Sequence, residues 1–214
     1  MNADRFLREL PLLFEDFPNS EHPLDRRFAP VVEEIEGLTR ENNLALLNLA
    51  AACLAPGEAY VEVGVFRGTS LVAAMLGNEE HRFVGIDAFT FRDGSLEQVE
   101  RNLERFGLPR PKLLIGDVFE LVPAGALRET PVGVWYYDAL HTYEAQLEGL
   151  RVAEPWLVPG ALVIVDDTDW EQVARAMDDY VAEQPRARRI VALDGKERGS
   201  PQWWEGMQVL VWEV

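Results

Sequence analysis

Residues 132–144 read VGVWYYDALHTYE: an unbroken apolar and aromatic run ends in a carboxylate at Asp138, and a histidine follows at His141. Such a run matches a strand buried on both faces. From Tyr143 to Leu157 helix-forming residues take over, with Leu147, Leu150 and Trp156 able to face a core. A buried strand that passes into a helix through an acid and a histidine is the unit from which the rest of the chain is read.

The unit recurs along the sequence. AYVEVGVF (59–66) is strand-like and Gly68 to Leu76 is helical; RFVGIDAF (82–89) is followed by a helix from Leu96 to Phe106. PKLLIGD (111–117) forms a third strand with a short helix before Thr130, and ALVIVDD (161–167) a fifth with a helix over Glu171 to Glu183. The end breaks the alternation: RRIVALD (188–194) and MQVLVWEV (207–214) are two strands with no helix between them, which predicts an antiparallel last strand. Strands alternating with helices predict a doubly wound α/β sheet covered on both faces, and in that architecture ligands collect beyond the carboxyl ends of the strands.

Before this core, residues 1–15 suit a short amphipathic helix, DFPNSEHPLDRRFAP (16–30) is a proline-rich connector, and Val31 to Leu54 is helical with an interruption near GLTREN. The expectation is one domain over 1–214, with 1–55 a helical cap segment and 56–214 the α/β core. With 48% hydrophobic residues, 214 residues suffice for one sizeable core.

The formal charge is −17, from 37 acidic against 20 basic side chains. That field opposes nucleic acid and anionic membrane, and favours a neutral or cationic small molecule. Cys53 is the only cysteine, which excludes an internal disulfide and a cysteine-rich metal site. With neither a basic-then-apolar amino terminus nor an apolar stretch of membrane-spanning length, a soluble cytoplasmic protein is the expectation, with assembly into a homo-oligomer compatible with the sequence.

Acids mark each parallel strand. Glu62 lies in the first, Asp87 ends the second, Asp117 the third, Asp138 the fourth, and Asp166 and Asp167 the fifth. Each alone can be a helix cap, but five strands ending in this way point to a shared rim. In EVGVFRGTS (62–70), Gly64 permits a sharp turn, Gly68 opens the helix, and Thr69 or Ser70 offers a hydroxyl or a cap. The run lacks both the dinucleotide glycine pattern and a phosphate-loop lysine. Asp87 stands where a carboxylate can accept from ribose hydroxyls. Asp138, Asp166 and Asp167 converge if their strands are neighbours, and closely spaced carboxylates call for a proton or a hard cation such as Mg²⁺, Ca²⁺ or Mn²⁺. Asp169 is the expected cap of the helix that follows. His141 suits a base near neutral pH, against the plainer reading of a histidine bonded to nearby backbone.

From Tyr60 to Asp167 the chain resembles the class I S-adenosylmethionine-dependent methyltransferases, and more narrowly the small-molecule O-methyltransferases related to macrocin and mycinamicin sugar methyltransferases. VEVGVFRGTS resembles the cofactor loop, Asp87 falls at the ribose-binding acid, IGDVFE places Asp117 near the adenine, and DALHTYEAQLEGLRVAEPWLVPGALVIVDD is the most specific match. The resemblance implies a Rossmann-like sheet of order 3-2-1-4-5-7-6 with strand 7 antiparallel. It implies cofactor contacts from Glu62, Gly64, Gly68, Ser70, Asp87 and Asp117, Mg²⁺ or another hard divalent cation on Asp138, Asp166 and Asp167, and His141 as base. Ala139 and Ala161 stand where glycine is common in the family. The implied activity is O-methylation of a hydroxyl on a sugar or other small polyhydroxylated or aromatic metabolite. The alternative is a noncatalytic nucleoside-binding or protein-interaction domain on the same fold. Trp203 and Trp204 are expected either to wall the acceptor or to pack a loop onto the core.

Overall fold

A computed structural model describes residues 1–195 and 200–213. Seven strands form one sheet: β1 (Ala59–Val63), β2 (Arg82–Asp87), β3 (Lys112–Ile115), β4 (Val132–Tyr137), β5 (Leu157–Asp166), β6 (Ala187–Leu193) and β7 (Met207–Trp212). Their order is β3-β2-β1-β4-β5-β7-β6, parallel from β3 through β5, with β7 antiparallel to both its neighbours. This is the order that the family resemblance implies. The antiparallel pairing of β7 goes with the lack of a crossover helix among the described residues between β6 and β7, whereas each parallel pair is joined through a crossover.

Alternation along the central strands sorts their side chains into two layers. Tyr60, Val134, Tyr136, Leu162, Ile164 and Val209 enter one core, while Val61, Val63, Trp135, Tyr137, Val163 and Val165 enter the other. Eight α-helices are described: α1 (Ala3–Glu9), α2 (Ala29–Glu34), α3 (Glu41–Ala52), α4 (Thr69–Met75), α5 (Leu96–Arg105), α6 (Val118–Leu121), α7 (Tyr143–Arg151) and α8 (Glu171–Glu183). Residues of α1 through α5 supply the first core, and α6, α7 and α8 the second.

Two helices differ from expectation at their ends. The helix starting at Tyr143 stops at Arg151 and gives way to a 3-10 turn over Glu154–Trp156, because Pro155 cannot donate the next helical hydrogen bond. Helix α8 takes Trp170 rather than Asp169 at its N-cap position, without a side-chain cap, since the Asp169 N–H is bonded to the Glu205 carbonyl.

The amino-terminal helices lie against the sheet. Phe6, Leu10 and Phe14 share the first core with Leu44, Leu46 and Leu47 of α3, and Arg5 donates to the Ala52 carbonyl at 2.7 Å. Eleven of the twelve α3 residues are buried, as expected of a helix covered on all sides. Trp203 is 2% exposed, packed edge-on against Phe14 and Phe17, with its indole N–H on the Pro18 carbonyl. It therefore fastens the proline-rich connector to the core and is not an acceptor wall. No helix among the described residues is long and apolar enough to cross a membrane.

Candidate active site

The order of the sheet reverses between β1 and β4, and the chain leaving β1 turns there at Gly64 with φ +92°. A Cβ on Gly64 would stand 1.8 Å from the Asp138 carbonyl oxygen, so only glycine fits. The Asp138 N–H bonds to the Val63 carbonyl at 2.9 Å, joining the ends of the two strands. Gly68, also left-handed at φ +87°, is the N-cap of α4.

Behind this turn Glu62 is fully buried. It accepts from the Ser70 hydroxyl at 2.7 Å and the Tyr60 hydroxyl at 3.1 Å. Burial pushes its pKa up to about 8 despite those two hydrogen bonds, and the charges of Asp138 and Asp87 add to the rise.

Asp87 ties two loops together. Its carboxylate accepts the Phe66 N–H at 2.7 Å and the Phe89 N–H at 2.5 Å. Both phenylalanines have φ +51°, an uncommon conformation that these bonds hold in place. Asp117 is exposed and caps α6 through the Phe119 N–H at 2.8 Å.

Beyond β4 and β5, Asp138, His141 and Asp167 offer one ligand atom each within 4.8 Å of one another. His141 Nε2 lies 3.1 Å from Asp167 and 3.7 Å from Asp138, is buried, and makes no aligned hydrogen bond. The ring rests 5.3 Å from that of Trp170. Burial opposes protonation of the imidazole, but the neighbouring Asp138, with the charges of Asp167 and Glu205, outweighs it, and the pKa is raised. Two carboxylates brought this close fit a hard divalent cation, with the imidazole nitrogen beside them.

Asp166 is not part of this group. It is 2% exposed and turned inward, with one oxygen 2.7 Å from the Tyr136 hydroxyl and the other accepting the Asp167 N–H at 3.0 Å. The same Tyr136 hydroxyl lies 3.2 Å from Asp138. The phenolic oxygen thus bridges the two carboxylates, and burial with the charges of Asp138 and Asp167 raises the Asp166 pKa well above its ordinary range.

Sequence reading did not single out Tyr60, Tyr136, Asn43 or Glu205. The two tyrosines had a signal: Tyr60 precedes Glu62, and Tyr136 precedes Asp138, by two residues, so in a strand each pair shares a face. Asn43 and Glu205 come from distant segments and had none.

A family model described as a methyltransferase domain matches residues 61–168, from β1 to just past β5. The chain belongs to this methyltransferase family. The methyltransferase also has solved structural relatives. The cofactor-bound Rv0187 from MTB is 19% identical with TM-score 0.68, over 100% of this chain and 97% of that one. TomG from Streptomyces achromogenes, an O-methyltransferase involved in tomaymycin synthesis and solved with S-adenosylmethionine, is 18% identical with TM-score 0.66, over 100% and 97%. CalS11, a TDP-rhamnose 3'-O-methyltransferase of calicheamicin biosynthesis, is 21% identical with TM-score 0.61, over 100% and 94%. No curated protein matches the sequence. Family and fold together make the chain an S-adenosylmethionine-dependent methyltransferase.

Proposed function

We propose that the enzyme transfers the methyl group of S-adenosylmethionine to a hydroxyl of a small metabolite, a sugar or another polyhydroxylated or aromatic compound, with help from a hard divalent cation such as Mg²⁺. The observation that carries the reading is the grouping of Asp138, His141 and Asp167 at the strand ends beside the Gly64 turn. The O-methyltransferase activities of TomG and CalS11 point the same way.

In this reading the main chain at Gly64 and Gly68 leaves room for the cofactor, and Asp87 keeps the two loops around it in register while its remaining lone pairs accept from ribose hydroxyls. Asp117 faces the adenine. Glu62 and Ser70 fix the turn from behind. Asp138 and Asp167 would hold the cation, and Asp166 braces them from the interior. When bound, the cofactor supplies a methyl on a cationic sulfur and the cation lowers the pKa of a coordinated hydroxyl.

His141 receives the acceptor's proton at Nε2, which is directed at the same carboxylates. The protein's remaining task is alignment of the acceptor oxygen with the methyl group.

Calorimetric titration of the purified protein with S-adenosylmethionine, followed by methyl-transfer assays on a panel of sugars and catechols with and without chelator, tests this. Absence of cofactor binding by folded protein overturns it, and turnover unaffected by chelator removes the cation from it.

A further inference from the structure

The interior face of the site is more connected than its ligand-facing side. Asp166 Oδ1 accepts the Asp167 N–H at 3.0 Å and lies 3.5 Å from Asn43 Nδ2, while Asp166 Oδ2 meets the Tyr136 hydroxyl at 2.7 Å. Tyr136 in turn reaches Asp138 Oδ2 at 3.2 Å. A single buried carboxyl therefore links both acidic members of the open group, one through a main-chain N–H and one through a phenol. Asp167 has φ +54°, a conformation that costs an acidic residue free energy unless its surroundings hold it, and the bond from its own N–H to Asp166 does so. Asn43 belongs to α3 and is fully buried, so the amino-terminal segment reaches the centre of the site.

We propose that Asp166 is a positioning residue, seated by Tyr136 and Asn43, that holds Asp138 and Asp167 together beside His141 and does not itself bind the cation. This rests on the cation reading of the site. A buried carboxyl with both oxygens engaged by protein donors would have to give up those bonds to reach an ion, whereas Asp138 and Asp167 are already within reach of one. It also explains why a helix outside the family-matched region is packed against these strand ends.

The test uses the full chain and three variants, Tyr136→Phe, Asn43→Ala and Asp166→Asn, with circular dichroism to confirm folding. Mn²⁺ binding is measured by electron paramagnetic resonance without cofactor or acceptor, and metal-free crystal structures report the His141 separations. Tyr136→Phe and Asn43→Ala should each weaken Mn²⁺ binding about tenfold, the low end for residues behind a ligand shell. S-adenosylmethionine affinity should stay unchanged, and Asp138 or Asp167 should shift away from the 3.7 and 3.1 Å contacts to His141. Asp166→Asn, which keeps an acceptor for the Asp167 N–H, should retain measurable Mn²⁺ binding. Wild-type Mn²⁺ affinity and undisturbed contacts in Tyr136→Phe and Asn43→Ala would overturn the proposal, as would complete loss of Mn²⁺ in Asp166→Asn alone. If the wild-type protein binds no Mn²⁺, the cation reading is what fails, and the metal-free structures still decide whether the three residues brace the site.

Discussion

Gly64 and Asp138 belong to different strands, yet a Cβ on Gly64 would stand 1.8 Å from the carbonyl oxygen of Asp138. The turn that admits a cofactor and the residue that begins the acidic group are thus one packed unit. Gly64→Ala must separate them and also place a side chain at φ +92°. The left-handed conformation and the overpacking together cost about 2–5 kcal/mol. Urea denaturation should show that loss, and calorimetry should show cofactor binding abolished; wild-type affinity in the variant would contradict the geometry.

Asp87→Asn replaces one carboxylate oxygen by an amide group that cannot accept from a main-chain N–H. One of the bonds to Phe66 and Phe89 is lost, at about 1.5–3 kcal/mol for a charge-assisted bond. The two loops should loosen, and S-adenosylmethionine affinity should fall at least about tenfold by the same free energy. Hydrogen exchange of the Phe66 and Phe89 amides provides the check on cause.

Glu62 gives stability a pH dependence of known sign. Its pKa rises from 4.5 to about 8 on folding, so between those values the folded protein keeps a proton that the unfolded chain releases. Its stabilising contribution is whole below about pH 4.5 and is lost as pH rises through about 8, by up to about 1.4 kcal/mol per pH unit. Glu62→Gln removes this component. Denaturation curves at pH 5.5 and pH 8.5 should converge in the variant relative to wild type, and equal slopes in both proteins would show Glu62 to be ionised throughout.

His141→Ala should lower kcat by roughly a hundredfold or more while cofactor affinity stays within about twofold, because general-base catalysis is worth that much and the imidazole stands apart from the Gly64 turn. Asp167→Asn should act similarly and remove any stimulation by Mg²⁺. Equal losses of kcat and of cofactor binding in both variants would indicate collapse of the site rather than removal of a base or a ligand.

Trp203→Ala probes the connector, not the acceptor. Its ring fills the space between Phe14 and Phe17 and its N–H holds the Pro18 carbonyl. Truncation should cost about 3–5 kcal/mol and expose residues 14–20 to limited proteolysis, with KM for the acceptor little changed in the protein that remains folded.

The strand and helix alternation was readable because parallel strands buried on both faces leave continuous apolar runs, and Val132–Tyr137 is buried at every position. The missing helix before Met207 made the antiparallel final strand readable too. Asp87, Asp138 and Asp167 were readable as a rim because strand ends in this architecture share one edge. Asp117 illustrates the limit: its position is at that rim, but its bond is a helix cap, and local sequence allows either.

Sequence by itself determined the alternation of strands and helices, the antiparallel last strand, the glycine turn and which edge carries the acids, since each follows from local periodicity and short-range sterics; the order of the strands came from the family resemblance. Only tertiary structure decided that Asp167 faces His141 while its neighbour Asp166 faces Tyr136 and Asn43, and that Trp203 is buried. Those outcomes depend on partners up to 185 residues away. The direction of a polar side chain at a strand end is set by which distant donors the packed chain brings to it, and no local pattern encodes them.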